Sequence, residues 1–115
     1  MAKIGIYLPK YMRKGDEALL KPIDDNVLRK EVLNMAKLMT DLTGGCTSIE
    51  VTGYYKFPDG FFSEAPTMEI YCFCDNEKTG EVAAALKPRL TDIKLRLGQN
   101  SVGMYIAPDF KFIEG

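Results

Sequence analysis

At 115 residues the chain has room for one domain with one core, and a second domain would lack a core of its own. With no His it has no imidazole base and no imidazole metal ligand, which excludes Ser-His and Cys-His nucleophile chemistry within one chain. A formal net charge of -1 leaves no electrostatic footprint for nucleic acid, and no apolar run approaches the roughly 20 residues of a membrane span.

Residues 3–9 alternate, with Ile4, Ile6 and Leu8 against Gly5 and Tyr7, and read as a strand. Met1-Ala2-Lys3-Ile4-Gly5 enters that strand without the apolar stretch of a signal peptide. With three cysteines, the expectation is reduced thiols in a cytoplasmic protein. Residues 10–23 read as a mixed loop with a basic cluster, Lys10, Arg13 and Lys14. The cluster reads as solvated charge, although it is also the best anion-binding candidate in the chain.

Asp24-Asp25 supplies an N-cap, and Leu28, Val32, Met35, Met39 and Leu42 form the stripe of a helix over 27–42. Gly44-Gly45 stops it. Gly44-Gly45-Cys46-Thr47 is not a phosphate loop, because it lies at a helix C-terminus, where the dipole repels anions. Residues 46–57 read as a second strand, with Ile49 and Val51 toward the helices and Glu50, Thr52 and Tyr54 away from them. Pro58-Asp59-Gly60 is a turn.

A third strand follows, interrupted near Pro66 and strongest at 67–74, apolar on both faces as a central strand is. Cys72 and Cys74 share its core face and read as buried structural thiols rather than zinc ligands. Asp75-Asn76 opens a second helix over 78–97, with Val82, Leu86, Leu90, Ile93 and Leu97 as its stripe and Pro88 off it. Pro88 is expected to kink that helix outward rather than end it, with a break there as the alternative. Val102, Met104 and Ile106 alternate with Gly103 and Tyr105 in a last strand.

Strand, helix, strand, strand, helix, strand is the α+β, ferredoxin-like split βαβ sandwich: a four-stranded antiparallel sheet with two helices on one face. The expected domain is 1–107, with the first and third strands central, followed by a tail over 108–115 that folds back or stays loose.

The uncovered face then collects Tyr7, Thr52, Tyr54, Glu69, Tyr71, Phe73 and Tyr105, four of the six tyrosines among them. Tyr7, Tyr54, Tyr71, Phe73 and Tyr105 are the candidate ligand or interface residues, because a contiguous aromatic patch marks a contact surface. Three occupants fit it: a second copy in a homodimer, or cover by the tail and the 10–23 loop; a small molecule; or another protein. RNA stacking fits less well, because Glu50 and Glu69 flank the patch and its basic signature is absent. Glu64 is the best proton acceptor if there is catalysis, and with Tyr54 and Thr47 it forms a possible polar cluster.

Gly44-Gly45-Cys46-Thr47, Gly53-Tyr54, Asp59-Gly60, Glu64 and Leu97-Gly98-Gln99-Asn100-Ser101-Val102 together resemble a family of small uncharacterised ferredoxin-like proteins from bacteria and their mobile elements. The resemblance spans residues 1–107, implies the same fold, brings no activity, and adds Gln99 to the cluster of Thr47, Tyr54 and Glu64. The functional expectation is a non-catalytic, homodimeric binding protein that uses the tyrosine-rich face, with no cofactor and no metal. Two alternatives stand beside it. One is a cofactor-free enzyme of the dimeric α+β-barrel kind, acting on an aromatic or quinone-like molecule with Glu64 as base. The other is a mobile-element accessory protein that inhibits a host or rival complex by protein contact.

Overall fold

The computed structural model describes residues 1–13, 20–56, 58, 60, 62–97 and 102–111. Strand β1 (Ala2–Pro9) alternates Ala2, Ile4, Ile6 and Leu8, all fully buried, with residues that face the other way. It is followed by a short antiparallel pair, β2 (Tyr11–Arg13) and β3 (Leu20–Pro22), where the sequence reads as loop. Backbone bonds hold this ribbon to the domain, from Lys10 N–H to the Pro66 carbonyl and from Ile23 N–H to the Lys10 carbonyl, and Ile23 is buried in the core.

Helix α1 (Asp25–Thr43) starts where the Asp24 carboxylate accepts from the N–H groups of Asn26 and Val27, at 2.9 and 3.2 Å. It ends at Gly44, whose φ of 92° belongs to the left-handed region and whose N–H reaches the Thr40 carbonyl. Strands β4 (Thr47–Lys56) and β5 (Phe62–Cys74) form a long antiparallel pair. A 3-10 turn at Asn76–Lys78 leads into α2 (Thr79–Arg96), and β6 (Gly103–Ala107) closes the sheet.

The sheet order is β4-β5-β1-β6, entirely antiparallel, with the first and third of its four strands central. The architecture is the α+β sandwich expected, with both helices on one face. Leu28, Met35 and Met39 of α1 and Val82, Leu86, Leu90 and Ile93 of α2 bury against Ile4, Ile6, Ile70 and Cys72. Arg96 bridges the helices by a two-point pair with Glu31, at 2.7 and 3.0 Å.

As expected, Pro88 does not end α2: it sits on the exposed side, where water can take the carbonyl its ring leaves unbonded. Two local expectations need correction. Pro66 does not interrupt β5. Its carbonyl accepts from Lys10 N–H, so its nitrogen points the same way, past the end of β1, where the ladder needs no donor. The faces of β4 are also the reverse of those expected. Ser48 lies opposite the buried Ile70, while Ile49 lies opposite Glu69 and Val51 opposite Thr67. Ile49 and Val51 therefore point to the open face, and Thr52 and Tyr54 share the helix side with Ser48. Apolar alternation identifies the inward face only where the other face is polar, and here both faces carry apolar neighbours.

Past Pro9 and Thr67, β4 and β5 continue as a two-stranded arm, from Thr52 opposite Pro66 to Lys56 opposite Phe62. The arm lengthens the molecule. Its radius of gyration is 15.2 Å, against about 13 Å for a compact chain of this length.

Candidate functional site

The register sets the open face out in rows. One row crosses the sheet as Thr47, Tyr71, Gly5 and Tyr105, and the next as Ile49, Glu69, Tyr7 and Gly103. Phe73 lies opposite Lys3, two residues toward the far end.

Gly5 decides how these side chains lie. A Cβ there would collide with the Tyr105 ring, so that ring rests directly on the glycine. From this position the Tyr105 hydroxyl donates to Glu69 Oε2 at 2.5 Å. Gly103 similarly leaves room beside Tyr7, and the Tyr7 and Tyr105 rings stand 5.5 Å apart at 36°. Glu69 is only 8% exposed on a face that no helix covers. Lys3 Nζ stands 3.9 Å from Glu69 Oε2 and 4.2 Å from the centre of the Tyr71 ring. Burial first, and the bond to the Glu69 carboxylate second, push the Tyr105 phenol far above its ordinary pKa, so it stays a donor.

Residues 108–110 cover one end of this face. Asp109 takes a positive φ of 56° and exchanges two bonds with Asn76, at 2.6 and 3.3 Å. This turn lays Phe110 on Phe73, with centroids 5.1 Å apart, and Phe73 meets Tyr71 edge-on at 5.8 Å. At the other end Tyr7 and Ile49 remain 40% and 41% exposed.

Of the residues singled out from the sequence, Tyr7, Tyr71, Phe73 and Tyr105 are on one face. Tyr54 is on the opposite side of the sheet, on the arm. Thr47 pairs with Tyr71 and Glu64 with Tyr54, seven residues apart along β5, or roughly 23 Å at a strand's rise. The backbone therefore keeps the two ends of the suggested polar cluster apart, and Gln99 lies outside the described residues, as does Lys14 of the basic cluster. Lys10 is paired with Glu50 at 2.8 Å.

Sequence reasoning places Glu69 on the open face without a role, and singles out neither Lys3 nor Phe110. The available signal was the lone carboxylate within the otherwise apolar Met68–Cys74 run. Among the described residues no group of three or more Cys, Asp or Glu side chains is arranged to hold a metal ion. A separate open groove of about 430 Å³ runs on the helix side, between Val32, Leu33 and Ala36 of α1 and Ser48 and Met68 of the sheet.

No family model matches the sequence, and no curated protein matches it. Solved structures do match in shape. A phage SAM lyase in its apo state aligns with a TM-score of 0.56 at 15% identity, covering 91% of this chain and 78% of that one. The phage SAM lyase in complex with S-methyl-5'-thioadenosine gives 0.57 at 12%, over 93% and 80%. CutA from Pyrococcus horikoshii gives 0.55 at 14%, over 98% and 88%. The fold is ferredoxin-like. At these identities the likeness extends to the fold and no further, and the periplasmic divalent cation tolerance protein CutA from Archaeoglobus fulgidus, at 11%, says the same. No helix among the described residues is long and apolar enough to cross a membrane.

Proposed function

We propose that this protein is a non-catalytic interaction module of the cytoplasm that assembles with a second copy of itself through the open face of its sheet. One observation carries the reading. Tyr7 and Ile49 are large, apolar and exposed on a sheet face where a monomer is ordinarily polar, and they flank the nearly buried Glu69. The arm supports it, because a two-stranded ribbon is marginal alone and gains by packing on another surface. In a two-fold pairing Tyr7 falls in the same patch on both copies.

Light scattering over a range of concentrations tests this. The expected result is a dimer that Tyr7→Asp converts to monomer. A wild-type monomer at every concentration overturns the reading and turns the face toward a different protein. A variant that stays dimeric moves the interface elsewhere.

A second reading rests on the Glu69–Tyr105 pair, a carboxylate set among aromatic rings, and on a similar fold having been solved with S-methyl-5'-thioadenosine. Here the face takes a small aromatic molecule, with Glu69 rather than Glu64 as the proton acceptor. Calorimetric titration with S-methyl-5'-thioadenosine separates the two readings. Saturable binding that Glu69→Gln abolishes favours the ligand site, and absence of heat favours the interface.

A further inference from the structure

A pair of thiols near the end of α1 plays no part in the open face. The β4–β5 pairing begins with Thr47 opposite Tyr71, and Cys46, the residue just before β4, falls across from Cys72 when that register is extended by one residue. Both fall on the helix side of the sheet. Cys72 is buried in the core, and Cys46 packs against the same cluster half-buried. Both thiols also lie close to the last turn of α1, Cys46 near Thr40 and Cys72 near Thr43.

Directly opposed residues of an antiparallel pair stand about 4.5–5.5 Å apart at Cα, within the span of roughly 4.4–6.8 Å that a disulfide bridges. The chain reaches Cys46 through Gly44 and Gly45, with nothing within 4 Å of where a Cβ would sit on either. The backbone there can give by the small amount a disulfide requires. Cys74 shares the face but lies opposite Ala2 of β1 instead.

We propose that Cys46 and Cys72 are a site of oxidative cross-linking, at which a small-molecule disulfide converts the two thiols into one intramolecular bond tying edge strand β4 to central strand β5. The Cys46 thiolate, at the more accessible of the two positions, attacks one sulfur of oxidised glutathione and expels one glutathione thiolate. Cys72 then gives up its proton and attacks Cys46 Sγ, expelling the second. The two protein thiols are oxidised, one disulfide is reduced to two thiols, and no other oxidant is required. Burial pushes both thiols up from their ordinary range, so the reaction runs faster at alkaline pH.

The experiment incubates the folded protein with excess oxidised glutathione, counts free thiols, and maps linked peptides by mass spectrometry. The expected result is a fall from three free thiols to one, an intact mass lighter by two hydrogens, and a link between the peptides holding Cys46 and Cys72. Cys46→Ser, at a half-buried position that accepts a hydroxyl, should abolish the link, and Cys74→Ser should retain it. Glutathione left attached to Cys46, a link between two chains, or a link through Cys74 each overturns the proposal. Mapping of the wild-type protein decides this even where a serine variant folds poorly.

Discussion

Replacing Tyr105 by Phe removes one oxygen from the centre of the open face and leaves the ring on Gly5. What is lost is the donor to Glu69 Oε2, 2.5 Å away. Glu69 is 8% exposed, and its other partner, Lys3 Nζ, stands 3.9 Å off, too far for a strong bond. A hydrogen bond to a charged group contributes roughly 1.5–3 kcal/mol. The expected cost is about 2 kcal/mol, read as a lower denaturation midpoint at unchanged m, or a fall in Tm of roughly 8 °C for a domain of this size. A cycle with Glu69→Gln isolates the pair, and its coupling should exceed about 0.5 kcal/mol. The pH dependence gives an independent check. The folded-state pKa of Tyr105 lies above its ordinary 10.0. The unfolded chain therefore releases this proton first, and the stabilisation is complete below pH 10.0 and is lost as pH rises toward the folded value. The advantage of wild type over the Phe variant should hold at neutral pH and shrink in alkali. A loss below about 0.5 kcal/mol, or an advantage that grows in alkali, refutes the assignment.

Other substitutions probe the scaffold. Asp24→Ala leaves the N–H groups of Asn26 and Val27 without their carboxylate and should cost about 1 kcal/mol in urea unfolding. Pro88→Ala restores a backbone donor on the exposed side of α2 and should stabilise by up to about 3 kcal/mol; an unchanged midpoint would show that the helix is already adapted to proline. Leu86→Ala opens a cavity at a fully buried position between α2 and the sheet and should cost about 2–5 kcal/mol.

Much of the fold was legible because helices report their buried stripe directly. Every residue of the predicted α2 stripe is buried, and the Asp24 and Gly44 boundaries follow from cap chemistry that acts within a few residues. Strand β4 was misread because its face is set by pairing with β5, and pairing is not local. Ile49 and Val51 are apolar in either orientation, and only the opposition of Ser48 to Ile70 shows which way they point. Tyr54 was misplaced by the same inversion. Glu69 was seen on the open face, but its role depends on Tyr105 and Lys3 from two other strands, and on a glycine that lets the phenol cross β1. Phe110 was out of reach because its position depends on the Asn76–Asp109 exchange, between residues distant in sequence.

The arrangement of the face bears on the proposed interface, which would have a carboxylate at its centre. Covering an unpaired charge is costly, and a partner that had to strip water from Glu69 would lose much of what its apolar contacts contribute. Here the carboxylate is already withdrawn from water within a single chain, held by the Tyr105 phenol and faced by the Lys3 ammonium. Lys3 itself is held over Tyr71. Most of the desolvation is therefore met on folding rather than on association, and what remains for a partner to cover is the rim of Tyr7, Ile49 and Val51. A ring on glycine makes this possible: with a larger residue at position 5 the Tyr105 hydroxyl could not reach Glu69, and the acid would stand in the interface unpaired.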